Sequence, residues 1–206
     1  MPFPIGKRSL VACSLVAGLL MAAHPAAADS LFRGAYAGLQ GSYDTYDFDV
    51  RANSLTADDL SLSGPSGGFY AGANTGLPGT DRMIVGLEGS FTFNDADGQI
   101  SGGADRTTIN ARNTYGISGR AGYEVTDSVL LYGRLGWART RFSGLGQSGG
   151  ASLDGVRFGG GAEYAISDNL ALRTEFTRTE YERRRSNGGR FEPEQNQLTV
   201  GLGFHF

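Results

Sequence analysis

Between Gln197 and Phe206 the side chains change character at every step. Leu198, Val200, Leu202, Phe204 and Phe206 share one parity, and Gln197, Thr199, Gly201, Gly203 and His205 share the other. A period of two is the signature of an extended strand, whose successive side chains point to opposite faces. The pattern recurs in Met83, Val85, Leu87, Gly89, Phe91 and Phe93 against Ile84, Gly86, Glu88, Ser90, Thr92 and Asn94. It recurs again in Val129, Leu131, Gly133, Leu135 and Trp137 against Leu130, Tyr132, Arg134 and Gly136. No stretch shows the i, i+3, i+4, i+7 spacing of an amphipathic helix. Glycine, at 33 of 206 residues, is also too frequent for helix interiors. The alternation predicts strands over 34–44, 67–77, 82–94, 107–124, 128–142, 154–166, 169–182 and 194–206.

The connections alternate in length. Short turns are expected at Leu77-Pro78-Gly79-Thr80-Asp81, Val125-Thr126-Asp127 and Ser167-Asp168-Asn169. Long, irregular, polar connections are expected at 45–66, 95–106, 143–153 and 183–193. Tight turns at one end and long loops at the other describe an all-β fold: a closed, eight-stranded, antiparallel up-and-down transmembrane β-barrel. Its short turns would face the periplasm and its four longer loops the outside.

The N-terminal segment reads as an export signal. Lys7 and Arg8 precede an apolar run from Ser9 to Ala23, and Ala26-Ala27-Ala28 offers small side chains for cleavage before Asp29. The expected organisation is a cleaved signal peptide, 1–28, followed by one barrel domain, 29–206. A lipid-attachment reading of Leu10-Val11-Ala12-Cys13 leaves too few residues after Arg8 for an apolar core. Cleavage removes the only cysteine, Cys13, and the only lysine, Lys7. What remains carries 16 arginines against 21 carboxylates, a formal charge of −5. That balance argues against nucleic acid as a partner. An arginine-only cation set suggests guanidinium forks held in paired, hydrogen-bonded settings.

Periodicity alone does not say which face looks inward. Glu88, Arg120, Arg134, Glu163, Arg173 and Glu175 share the polar parity and similar distances from the short turns. Three acids and three arginines at one level would neutralise one another inside a narrow barrel, where lone charges are costly. The apolar parity carries aromatics in two bands. Tyr43, Phe69, Phe91, Tyr115, Trp137, Phe158 and Phe176 lie near the long loops, and Tyr123, Tyr164, Phe204 and Phe206 near the short turns. Two girdles around an aliphatic belt mark a lipid-facing surface. Arg139, Arg141 and Arg178 fall on that same parity, but high on their strands. With Arg183, Arg184 and Arg185 they are candidate contacts for the phosphates of lipopolysaccharide.

The segments Tyr36-Ala37-Gly38-Leu39-Gln40, Gly86-Leu87-Glu88-Gly89-Ser90-Phe91, Gly119-Arg120-Ala121-Gly122-Tyr123, Leu131-Tyr132-Gly133, Gly161-Ala162-Glu163-Tyr164 and Leu172-Arg173-Thr174-Glu175-Phe176 recur in a familiar order. In that order and spacing the chain resembles the outer-membrane β-barrel domain family of small surface antigens, which includes opacity-like and haemin-binding members. The closing Gly201-Leu202-Gly203-Phe204-His205-Phe206 resembles the terminal signal read by the barrel-assembly machinery, with Leu202, Phe204 and Phe206 as its apolar positions. The resemblance implies a Gram-negative outer-membrane location, a structural or surface-interaction role and no catalysis. It also implies lipid, lipopolysaccharide and the assembly machinery as partners, with a host or cell-surface ligand for the loops left open.

Catalytic chemistry finds little support. Beyond the signal the chain has one histidine, His205, whose place beside the C-terminus reads as the periplasmic rim. One histidine and no cysteine supply no usual zinc or copper site. Asp95-Ala96-Asp97-Gly98 lacks the ligands of a calcium loop, and Gly144 to Gly150 lacks the Lys-Ser/Thr of a phosphate loop. No cofactor is expected. The reading is a non-enzymatic barrel involved in envelope integrity and surface interaction, its interior filled by the Glu/Arg set. Two alternatives stand beside it: a soluble exported barrel binding an apolar ligand as lipocalins do, and a narrow ion-conducting channel.

Overall fold

The computed structural model describes residues 30–52, 55–102, 105–143, 151–182, 184–186 and 189–206. Side chains are described except at 48–52, 55–62, 95–102, 105–111, 142–143, 151, 184–186 and 189–193. The proposed signal peptide, Gly144 to Gly150 and Arg183 lie outside the described residues.

The strands are β1 (Gly34–Ala52), β2 (Leu55–Gly76), β3 (Met83–Gly102), β4 (Asp105–Thr126), β5 (Val129–Ser143), β6 (Ala151–Ala165), β7 (Leu170–Tyr181), β8 (Arg184–Ser186) and β9 (Gly189–His205). Each long strand pairs antiparallel with the next, and β1 also pairs with β9, so the sheet closes on itself. The result is an eight-stranded barrel. The three-residue β8 pairs only with β9 and continues the rising edge of β7 above the barrel. Closure leaves no open edge in the part of the wall where every strand is paired on both sides, which a hydrocarbon environment demands of any sheet.

The register sets the tilt. Following paired residues round the barrel leads from Ala37 to Ala71, Gly89, Ile117, Trp137, Val156, Glu180, Glu194 and back to β1 at Asp47. The walk therefore climbs ten residues per circuit. With ~3.3 Å per residue and ~4.8 Å between strands, eight strands must lean about 40° from the barrel axis. Each residue then rises ~2.5 Å along that axis.

The turns at one end follow from local chemistry. In Leu77-Pro78-Gly79-Thr80, proline presets the first corner and Gly79 supplies φ +83°, while Thr80 N–H donates to the Leu77 carbonyl at 3.1 Å. That is the type II pattern of Pro then Gly. Asp127 and Ser128 alone join β4 to β5, and 166–169 join β6 to β7. The long connections at the other end are mostly paired strand rather than the irregular chain expected from their polarity. The β1–β2 ladder runs to Ala52 opposite Leu55, and β3–β4 to Gly102 opposite Asp105. Hydrogen bonding between the two arms of a hairpin does not need an apolar face, so polarity concealed these extensions.

The faces separate as the alternation predicts. Leu39, Leu87, Ile117, Leu135, Leu198, Val200 and Leu202 are exposed on the outside, and Tyr36, Ile84, Glu88, Leu130, Arg134 and Arg173 are buried within.

Candidate functional site

The barrel interior is filled in three levels. At the periplasmic end sits Phe32, fully buried, packed against Ile84, Leu130, Tyr132 and Ala171. It belongs to a short segment that precedes β1 and folds back into the mouth. Asn74 Nδ2 donates to the Phe32 carbonyl at 2.9 Å, and Ser30 Oγ donates to Glu124 at 2.6 Å. Arg33 donates to the Asp81 carbonyl. This cork has no counterpart in the sequence reading, because a single aromatic before the first strand breaks no pattern. His205 lies just inside this mouth rather than on the rim. It is buried, stacked on Tyr36 with ring centroids 5.3 Å apart, and its Nε2 is 3.9 Å from Glu163. It shares the parity of Gln195, Gln197 and Thr199 on β9, which turns it inward.

Above the cork lies the charged layer. Glu88, Arg120, Arg134, Glu163, Arg173 and Glu175 come together, every one of them buried. Arg173 reaches Glu88 at 2.6 Å and Glu163 at 2.9 Å. Arg120 reaches Glu163 at 2.8 Å and Glu88 at 3.4 Å. Arg134 reaches Glu175 at 2.7 Å and Glu88 at 3.1 Å. Glu88 thus faces all three guanidinium groups, and the ion pairs form one connected set across five strands. Such a set satisfies charges that would be costly singly.

Three tyrosines complete this layer. Tyr36 OH donates to Glu88 at 2.9 Å and accepts from Arg120 at 3.0 Å, while Tyr132 OH donates to Glu175 at 2.7 Å. The guanidinium of Arg173 lies 3.9 Å from the Tyr70 ring centre, and that of Arg120 lies 4.0 Å from Tyr132. Arg173 Nη1 and Arg120 Nε have no oxygen acceptor, and these ring faces are what the two cations meet instead. Space for the rings comes from glycine across the ladder. Tyr36 pairs with Gly72 and Gly38 with Tyr70, and a Cβ at Gly38 would lie 2.4 Å from Tyr70. The tyrosines share the polar parity, but their glycine partners become visible only with the register.

A third, polar level lies toward the outside. Arg157 donates to Thr179 at 2.9 Å and to Gln195 at 3.3 Å. Gln195 in turn donates to Asp44 at 2.7 Å, as does Gln197 at 2.8 Å. Gln195 therefore bridges a cation and an anion through its two ends. Thr140 adds a hydroxyl chain linking Thr114 at 2.8 Å and Tyr181 at 2.7 Å.

Outside, the aromatic residues sort by height. Phe69 stacks on Phe91 at 5.4 Å, Phe93 meets Phe91 edge-on at 4.8 Å, and Trp137 meets Tyr115 at 5.9 Å. Tyr43, Phe158 and Phe176 stand outward in the same upper band. At the other end Phe204 meets Phe206 at 5.2 Å, with Tyr123 and Tyr164 exposed beside them. Tyr115 and Tyr123 are eight residues apart on β4, so the bands are separated by ~20 Å along the axis. That matches the ~25 Å apolar belt of an outer-membrane barrel.

Above the upper band the three strand arginines point outward, two of them already paired. Arg139 forms a two-point bond with Asp154 at 2.6 and 2.7 Å. Arg178 donates to Glu194, with Glu180 at 3.7 Å. Arg141 is exposed, with no ion pair among the described residues. The side chains of Arg184 and Arg185 lie outside the described set, as does Arg183.

A family profile described as the outer membrane protein beta-barrel domain matches residues 14–206. The chain belongs to that family. As a member of the outer-membrane β-barrel domain family, it is a protein of the Gram-negative outer membrane. It is 28% identical over 191 residues to the 31 kDa outer-membrane immunogenic protein of Brucella melitensis, spanning 83% of this chain and 78% of that one. The 22 kDa outer membrane protein of Rhizobium leguminosarum bv. viciae is 29% identical over 164 residues, spanning 68% and 77%. Among solved structures, the outer membrane protein OprG of Pseudomonas aeruginosa is similar at 13% identity and a TM-score of 0.49, covering 86% of this chain and 99% of that one.

Proposed function

We propose that this outer-membrane protein is a non-enzymatic, plugged barrel that contributes to envelope integrity and holds its hairpins up at the cell surface. The observation that carries this reading is the interior ion-pair set. Three carboxylates, three guanidinium groups and three tyrosine rings occupy the cross-section of a barrel only just wide enough for side chains. Phe32 below and the Gln195 bridge above add to the obstruction. Reconstitution of the purified protein in planar bilayers tests it. The expected record is free of current steps above those of the protein-free bilayer. Regular, porin-sized steps would overturn the plugged reading, and small unitary steps would favour the narrow-channel alternative.

The outward arginines support contact with lipopolysaccharide in a narrower form than the six candidates together would suggest. Arg139 and Arg178 are neutralised by Asp154 and Glu194, which leaves Arg141 as the described side chain free to meet a phosphate bidentately. Arg141→Gln should weaken lipopolysaccharide binding by the folded protein more than Arg139→Gln does. Equal losses at both positions would count against this assignment. Leu202 and Phe204, outward on the last strand, and Phe206 just after it are where we place recognition by the assembly machinery, and Phe206→Ala should lower the amount of assembled barrel.

A further inference from the structure

The barrel wall is continuous through the membrane but splits above it. The β2–β3 ladder stops at Ser66 opposite Asn94, level with the upper aromatics. Its two outer neighbours carry on: β1–β2 to Ala52 opposite Leu55, and β3–β4 to Gly102 opposite Asp105. Residues 55–65 and 95–102 therefore pair on one side alone, with Asp58, Asp59 and Asp95 unpaired at register shifts, and have no ladder partner on the other side among the described residues. At ~3.3 Å per residue the free edges run for about 35 and 25 Å.

Two local features accompany the split. Pro65 has no N–H to donate; the β1–β2 ladder passes through it at Tyr43, and the β2–β3 ladder ends beside it. Proline is tolerated on an edge and not in the middle of a sheet. Across from it, β3 shows a register shift between Phe93 and Ala96. In hydrocarbon an open edge would strand backbone donors and acceptors, whereas outside the membrane water satisfies them until a better partner arrives.

What satisfies a free ladder best is another extended backbone. The sequence limits its charge. The two free stretches contain Asp58, Asp59, Asp95 and Asp97 and no lysine or arginine. Like charge on both edges opposes their zipping together and opposes edge-to-edge pairing between copies of this chain. It favours a cationic strand. We propose that the split between the first two hairpins is a docking site for an extended, cationic polypeptide segment, added as a strand to the free edges of β2 and β3. This deepens the surface-display reading above and rests on it.

The test uses the full barrel in uncharged phosphatidylcholine nanodiscs and three fluorescent decapeptides. Alternating Lys and Val can both pair and attract; alternating Lys and Pro has the charge without the ladder; alternating Glu and Val has the ladder without the charge. Fluorescence anisotropy should show the Lys-Val peptide binding about tenfold or more tightly than either control. Hydrogen exchange should slow in 55–65 and 95–102 when it binds. The variant carrying Asp58→Asn, Asp59→Asn, Asp95→Asn and Asp97→Asn should lose about tenfold in affinity while its barrel stays folded by heat-modifiable electrophoresis. Equal binding of the Lys-Pro peptide, protection elsewhere, or no saturable Lys-Val binding each overturns strand addition. Protease accessibility of the hairpins on intact cells separates the two readings. Accessible hairpins without Lys-Val binding sink this inference alone, and inaccessible hairpins sink the display reading beneath it.

Discussion

Arg173 is almost wholly enclosed, and its guanidinium serves Glu88, Glu163 and the face of Tyr70 at once. Its removal would leave two buried carboxylates short of a cation. Arg173→Ala should therefore destabilise the barrel by about 3–5 kcal/mol, measured by reversible urea unfolding in liposomes. A cost near zero would mean the layer is hydrated and not a connected ion-pair set. The pairing predicts non-additivity as well. Arg134→Met and Glu175→Met together should cost less than the sum of the single changes, because removing Arg134 takes away the cation at 2.7 Å from Glu175, and removing Glu175 leaves Arg134 to Glu88 at 3.1 Å. Glycine matters at the same scale. A Cβ on Gly38 would fall 2.4 Å from both the Leu202 carbonyl and the Tyr70 ring, so Gly38→Ala should cost roughly 1–3 kcal/mol in the same assay.

At the scale of elements, each strand has to satisfy lipid on one side and a polar core on the other. Leu87, Ile117, Leu135 and Leu172 face outward between the two aromatic bands. Leu135→Arg should cost ~2–4 kcal/mol in a bilayer, the depth-dependent penalty for a midplane cation. Arg139, only four residues higher on β5, stands above the belt and beside Asp154, where that penalty has vanished. The N-terminal segment is an element in its own right. Phe32→Ala should destabilise by roughly 3–5 kcal/mol, whereas Phe32→Leu should retain most of the stability, since the site asks for apolar volume and makes no use of ring chemistry. Parallel unfolding curves of the two variants measure the difference. Equal and small effects would show that the cork is merely laid against the mouth.

At the scale of the molecule, a ten-residue climb over eight strands fixes the tilt, and the tilt brings charges from five strands to one height. The same closure divides the protein into two environments. Within the belt every ladder is complete; above it hairpins continue independently, and the sheet opens between β2 and β3. Hydrogen exchange on the whole protein should show the most protected amides in the belt, with protection falling from Ser66 upward on β2 and from Asn94 upward on β3. Uniform protection to the hairpin tips would contradict a split wall.

Much of this architecture was legible in the chain because it is local. Alternation is a property of a strand's own backbone, so the faces of β3, β5 and β9 could be read one residue at a time. The six charged residues of the interior layer followed from parity and from distance to the nearest turn. The Pro78-Gly79 corner was legible too, since its geometry is held within four residues. The rest depended on register. Tyr70 finds room only because Gly38 lies opposite it, Gln195 bridges Arg157 to Asp44 across the interior, and Phe32 corks a mouth built by β3, β5 and β7. Arg173 and Glu88 are 85 positions apart. Backbone geometry determines which way each side chain points, strand by strand; only closing the sheet decides what it meets there.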